Sequence, residues 1–424
     1  SQVLVIGRDR DGVRRLRAGI AALTRGGALP TATTFHGLAY ALVRRYVQGD
    51  ADGVLPRLLS GAEEDVRIRD LLRGAIDDGD LPWPDDLLAA TATLGFANDL
   101  RALLARAREL QMSPRQMDML AERSTIPAWA SLGRLAQMES EVMALEGVVD
   151  YTRLLEMATE AATSWPGDLR YIYVDEFHEA GPLQRHLLQA LSTASTATMV
   201  AADPDIAAFA FRGADRQGAL HLIDSAGADV IVLDRIHSGG GDIRRAYERA
   251  RRHPAMPGLR AEIIRAYRHP VPEADLPVTH VDVVSHDSWS DMAAWVADDL
   301  RRRHLGLTGE SVPWDSMAII ARSTTQLDSV RRALDSVGVP VSVDAADIPL
   351  QREPAVAVLL AAVTAALAPQ EMSPRTAIDL VTGPLIGLDS ADVRVLARAL
   401  RARSRSRHPG SAVPAGTQLL CDEL

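Results

Sequence analysis

The chain contains no lysine. All 46 of its basic residues are arginine, so a phosphate-binding loop of the form GxxxxGK[ST], which grips the β- and γ-phosphates through its lysine, is excluded from these residues. One cysteine, Cys421, excludes an internal disulfide framework and any cysteine-built zinc site. No run approaches the roughly 20 apolar residues that span a bilayer, and the first residues lack the basic-then-apolar layout of a secretion signal. A cytoplasmic location with no membrane partner is therefore expected. Aromatic residues make up only 4% of the chain, and the net charge is -10. That acidity argues against coating of nucleic acid by the whole surface, while local arginine clusters remain able to track phosphates. Lysine-free, alanine-rich composition also matches the codon usage of a GC-rich genome, which accounts for arginine at most surface positions.

What is present fills several cores: 47% of 424 residues are apolar, enough for two to four domains. The run Tyr171, Ile172, Tyr173, Val174 reads as one buried strand of a parallel sheet, and it ends in Asp175 and Glu176. Open α/β sheets bind ligands at the carboxyl ends of their strands, and two acids there suit a magnesium nucleotide. The plan then repeats. A strand over Ala197–Ala201 leads into Asp203 and Asp205, followed by Phe209, Phe211, Arg212, Gly213 and Ala214.

In chain order, Val3–Ile6 reads as a strand, and Val13, Leu16, Ile20 and Leu23 mark one face of a helix. A strand as the first element implies that the first strand and helix of its domain lie upstream. Thr34 reads as an N-cap, and His36, on the first turn of the next helix, suits a phosphate contact. Residues 50–150 show apolar helical spacing broken by Pro and Asp, with no strand-like run, and read as a helical insertion. Further strands are expected at Val230–Leu233, Val281–Val284, Met317–Ala321 and Val339–Val343, with helices at 290–305 and 326–337, as in a second parallel sheet covered on both faces. From Pro369 the pattern is helical. Arg398, Arg401, Arg403, Arg405 and Arg407 form a basic cluster there, either a solvated face or a nucleic-acid contact.

Four segments carry a resemblance: VDEF at 174–177, ADPDIAAFAFRGAD at 202–215, TTFHGLA at 33–39 and AIIARSTTQLDSVRRAL at 318–334. Their order and context resemble the UvrD/Rep-like superfamily-one DNA helicases. That resemblance implies an α/β fold of two RecA-like parallel-sheet lobes with helical insertions, ATP and Mg2+ as cofactors, and DNA as partner. The expected division is a first lobe at 1–49 and 151–215, interrupted by the insertion at 50–150, a second lobe at 216–368, and the start of a second insertion at 369–424.

By the same resemblance, Asp175 takes the magnesium-binding place and Glu176 the water-activating one. His178 and Glu179 stand where the family has Gln and Asp. Asp203 matches the acid of the third motif, while Ile206 replaces the glutamine that senses the terminal phosphate and can neither donate nor accept a hydrogen bond. Arg235, Ile236, His237 and Ser238 stand for NYRS, so His237 replaces a permanently charged arginine in nucleotide binding. Gly7–Val13 replaces a segment bearing a DNA-stacking aromatic. Arg8, Thr34, His36, Phe211, Arg212 and the arginines at 398, 401, 403 and 405 are the DNA-contact candidates. Phe209 and Phe211 are placed either to stack bases or to pack in the core.

Within the family the chain most resembles the worn-motor subunit of AdnAB-type heterodimeric helicase–nucleases, which resect double-strand breaks in mycobacteria and related actinobacteria. The expected function is thus a vestigial motor that guides a DNA strand beside an active partner subunit. A catalytically active helicase whose missing motifs lie outside these residues, and a scaffold that does not touch DNA, are the alternatives.

Overall fold

In a computed structural model, the described residues are 2–24, 29–49, 53–79, 83, 85–124, 129–163, 169–210, 213–237, 239–250, 255–272, 279–342, 354–409 and 412–424. Contacts divide the chain into two compact units, Ser1–Val281 and Asp282–Leu424.

The first unit opens with β1 (Val3–Gly7), α1 (Arg10–Leu23), β2 (Thr31–Thr34) and α2 (Phe35–Gln48). The expected insertion follows as β3 (Arg57–Leu58), α3 (Gly61–Asp77), α4 (Asp85–Thr91), α5 (Leu94–Glu109), α6 (Pro114–Arg123), α7 (Trp129–Leu145) and β4 (Val148–Val149). It is helical apart from β3 and β4, two short strands that pair in parallel at its ends. The sheet then resumes through α8 (Tyr151–Thr163), β5 (Tyr171–Val174), α9 (Pro182–Ser192) and β6 (Ala197–Val200). After it come α10 (Gly218–Ala226), β7 (Arg235–Ile236), α11 (Gly241–Ala250), α12 (Ala261–Arg268) and β8 (Val271–Pro272).

The strands order β2-β1-β5-β6, all parallel. Side chains alternate across a strand, so Leu4 and Ile6 of β1 share a face with Ile172 and Val174 of β5. That face is the core: α2 buries Phe35, Ala39, Leu42 and Val43 against it, and α8 and α9 add Leu154, Leu155, Leu183 and Leu187. Each buried Leu, Val or Phe among these contributes about 1.5–3 kcal/mol by leaving water. The opposite face holds Val5, packed with Val13 of α1 and Ala32 of β2. β5 is buried on one side only, with Tyr171 and Tyr173 exposed on the other, whereas its composition reads as a strand covered on both.

The insertion has its own core of Ile68, Leu72, Leu100, Leu104, Leu132 and Leu135. A buried ionic bridge ties it to the sheet. Arg108 of α5 pairs with Glu139 of α7 and with Asp150, whose Oδ1 also accepts from the Arg153 amide at the start of α8 at 2.7 Å. Burial pushes the Glu139 carboxyl upward against the pull of Arg108.

The second unit contains α13 (Trp289–His304), α14 (Thr324–Ser336), α15 (Pro354–Leu367), α16 (Pro374–Thr382), α17 (Ser390–Arg407) and α18 (Gly416–Glu423). Helices α13 and α14 cover the segments read as helical, and the chain from Pro369 onward is helical as expected. The strands expected at 230–233, 281–284, 317–321 and 339–342 pair with no neighbour among the described residues and form no strand; residue 343 lies outside them. β-branched residues favour extended backbone, but a strand exists only where a neighbour completes its ladder. Ile231, Leu233, Val283 and Ile320 are accordingly 80–94% exposed. The α/β fold with helical insertions thus holds, with its parallel sheet of four strands in the first unit.

Candidate nucleotide and nucleic-acid site

β5 delivers its acids as expected. The Asp175 amide donates to the Ile6 carbonyl at 2.9 Å, fixing the turn beside the end of β1. The Asp175 Oδ1 accepts from the Glu176 amide at 3.0 Å. Glu176 itself is left-handed, with φ 51° and ψ 40°, a conformation that costs a non-glycine residue roughly 1–2 kcal/mol. Its Oε1 lies 3.5 Å from Arg8 Nη1. Arg8 also holds Asp9, with Nε 2.9 Å from Oδ2, and its guanidinium carbon sits 5.3 Å from the centre of the Phe209 ring. Burial works against the Arg8 charge, but Asp9, Glu176 and Glu179 together raise its pKa above the ordinary value. The carboxylate assigned to water activation therefore faces a cation. Because both side chains are about one-third exposed, that pair is worth less than ~1 kcal/mol in stability.

Beyond β6 the chain runs through a loop, Asp203–Phe209, gripped from two sides. From the β5 side, His178 Nδ1 accepts the Asp203 amide at 2.9 Å. Glu179 accepts two amides, Ala208 at 2.7 Å on Oε1 and Phe209 at 3.0 Å on Oε2. From the α12 side, the Tyr267 hydroxyl donates to Asp203 Oδ1 and accepts the Asp205 amide at 3.2 Å. Arg268 forks onto Asp205, Nε to Oδ2 at 3.2 Å and Nη2 to Oδ1 at 3.4 Å. The Asp205 side chain is fully buried. Burial, reinforced by the bond to Asp203, pushes the Tyr267 phenol well above its ordinary pKa. Ile206, at the place of the phosphate-sensing glutamine, is half-exposed.

Arg8 thus joins Glu176 and Phe209, with Asp175 beside them in the same turn, while Asp203 is held by His178 and Tyr267. Thr34 is spent locally: its hydroxyl accepts the Gly37 amide at 3.1 Å and caps α2, worth about 1 kcal/mol. His36 lines a cavity of about 160 Å³ with Glu109, Tyr151 and Gln184, its ring edge-on to Tyr151 at 5.0 Å. Burial lowers the His36 pKa, so a phosphate contact there rests on hydrogen bonding rather than charge. Phe211 and Arg212 lie outside the described residues. His237 follows β7 and is exposed. In the second unit, Arg398, Arg401, Arg403, Arg405 and Arg407 are exposed along α17, where Arg403 pairs with Glu423 at 3.3 Å.

Tyr267 and Arg268 carry no signal in the sequence beyond their place at the end of an amphipathic segment. Nothing in their spacing tells which acids they meet.

A family model described as the UvrD/REP helicase N-terminal domain matches residues 1–226. The chain belongs to the UvrD/Rep helicase family. No curated protein matches it. UvrD-like helicases act on DNA with ATP and Mg2+. In this helicase, the partly exposed Asp175 at a strand end fits the metal side of such a site, since Mg2+ takes one or two carboxylates along with phosphate oxygens. Asp203 and Asp205, beyond the next strand, are already engaged by Tyr267 and Arg268. Among the described residues, no group of three or more His, Cys, Asp or Glu is arranged to hold a metal, and no helix is long and apolar enough to cross a membrane.

Proposed function

We propose that this helicase is a vestigial motor, one subunit of a heterodimeric ATP-dependent helicase–nuclease for end resection at double-strand breaks, and that it holds and guides a DNA strand beside an active partner motor. The observation that carries the reading is the self-occupied acid edge. Glu176 faces Arg8, Asp203 takes the Tyr267 hydroxyl, and Asp205 is forked by Arg268. The lobe and insertion boundaries at 49/50, 150/151, 215/216 and 368/369 belong to this proposal. So do the DNA contacts at Arg8, His36, Phe211, Arg212 and the α17 arginines, and the degraded nucleotide contacts at Asp203 and His237.

Asp175, partly exposed at the end of β5, is what favours the alternative of an active helicase. Glu176→Gln separates the two. In the assembled complex it is expected to leave DNA-dependent ATP hydrolysis within about twofold, whereas an active site here makes that carboxylate worth orders of magnitude. Loss of most ATP turnover sinks the vestigial reading. Photocrosslinking of a strand to His36 or Phe211 excludes the scaffold reading.

A further inference from the structure

Glu179 and the α12 pair, Tyr267 and Arg268, grip the third-motif loop. With His178 they fix six groups of a seven-residue stretch: three amides at Asp203, Ala208 and Phe209 from the β5 side, and the Asp205 amide with the carboxylates of Asp203 and Asp205 from the α12 side. The Glu179 side chain is 4% exposed and the Asp205 side chain 0%. A carboxylate that accepts two amides at 2.7 and 3.0 Å cannot follow the loop if it shifts, and a forked, buried Arg–Asp pair resists separation because each charge would be left without compensation.

A ligand moves a loop only by its differential affinity for the two positions. Here Ile206 offers a phosphate no hydrogen bond, and the loop carboxylates already have partners. The same loop sets the Phe209 ring beneath the Arg8 guanidinium, which Asp9 and Glu176 share; aromatic and cationic groups side by side are the combination on which single-stranded bases stack and phosphates rest.

We propose that Glu179, Tyr267 and Arg268 are positioning residues that lock the Asp203–Phe209 loop, so that Phe209 and Arg8 hold single-stranded DNA with a grip independent of nucleotide. This rests on the strand-holding function proposed above. An active motor of this fold must change its grip through the nucleotide cycle to advance; a subunit with a locked loop keeps hold while its partner steps. The His178–Glu179 pair is then a working part of the loop's anchorage.

The test measures binding of the full chain to a fluorescein-labelled oligothymidylate, with and without Mg2+ and a non-hydrolysable ATP analogue. The analogue is expected to change wild-type affinity less than twofold. Phe209→Ala is expected to weaken binding about tenfold, the worth of one stacked base. Tyr267→Phe and Glu179→Gln are each expected to weaken it three- to fivefold, with faster amide hydrogen exchange confined to 203–209 and unchanged exchange in β5. Glu179→Asp, which keeps the carboxylate, is expected to recover part of the loss, and it replaces Glu179→Gln should that variant unfold. A fivefold or larger response to the analogue overturns the lock. So does wild-type affinity in both Tyr267→Phe and Glu179→Gln while Phe209→Ala is weak, an outcome that leaves strand holding intact. Wild-type affinity in both Phe209→Ala and Arg8→Ala overturns strand holding at this edge, and the lock's role with it.

Discussion

Asp175 and Asp205 follow neighbouring parallel strands and reach the same edge of the sheet, but their surroundings diverge. Asp175 is partly buried and accepts the amide of the next residue. Asp205 has a fully buried side chain forked by Arg268. The first is held within its own turn; the second is clamped from another helix. An acid at a strand end is therefore no measure of a working site until its partners are known.

Arg268→Met tests that contrast most severely. It strands a buried carboxylate and is expected to cost about 3–5 kcal/mol, read as a lower midpoint in urea unfolding. A loss below about 1 kcal/mol would show that Asp205 is not structural. His36 is expected to give a smaller effect that depends on pH. Its folded pKa lies below the unfolded value of about 6.5, so the unfolded chain binds the proton more readily. Stability from this group is full above that pH and falls as pH drops from 6.5 through the lowered folded pKa. Removing the imidazole with His36→Gln should flatten that acid limb in pH-dependent melting; an unchanged limb assigns it to other groups. Asp175→Asn should do least, within about 0.5 kcal/mol of wild type in the same urea assay. A cost comparable to that of Arg268→Met would erase the distinction between the two acids.

Much of the sheet was legible in the sequence because its strands are short apolar runs ending in polar turns. Val3–Ile6 and Tyr171–Val174 read directly as strands, and Ala197–Ala201 overshot β6 by one residue. The same composition misled at 230–233 and 317–321, where β-forming residues have no ladder neighbour among the described residues. Local propensity cannot report a pairing partner. The acids at 175, 176 and 203 were found from position alone, but their state was not. The Arg8–Glu176 contact spans 168 positions and the Tyr267–Asp203 bond spans 64, and such distances leave no trace in periodicity. Thr34 went the other way: the bland expectation of a helix cap is what its hydroxyl does.

Gly213 has a backbone φ of +93°, and a Cβ built there would fall 1.9 Å from the Glu109 carboxylate, while Arg106 of the same helix donates to the Gly213 carbonyl at 3.1 Å. The tip of α5 is thus seated in a notch that only glycine leaves open. A methyl group there meets both the Glu109 carboxylate and a backbone conformation that side chains rarely adopt, so Gly213→Ala must displace either the tip of α5 or the turn that carries residue 213.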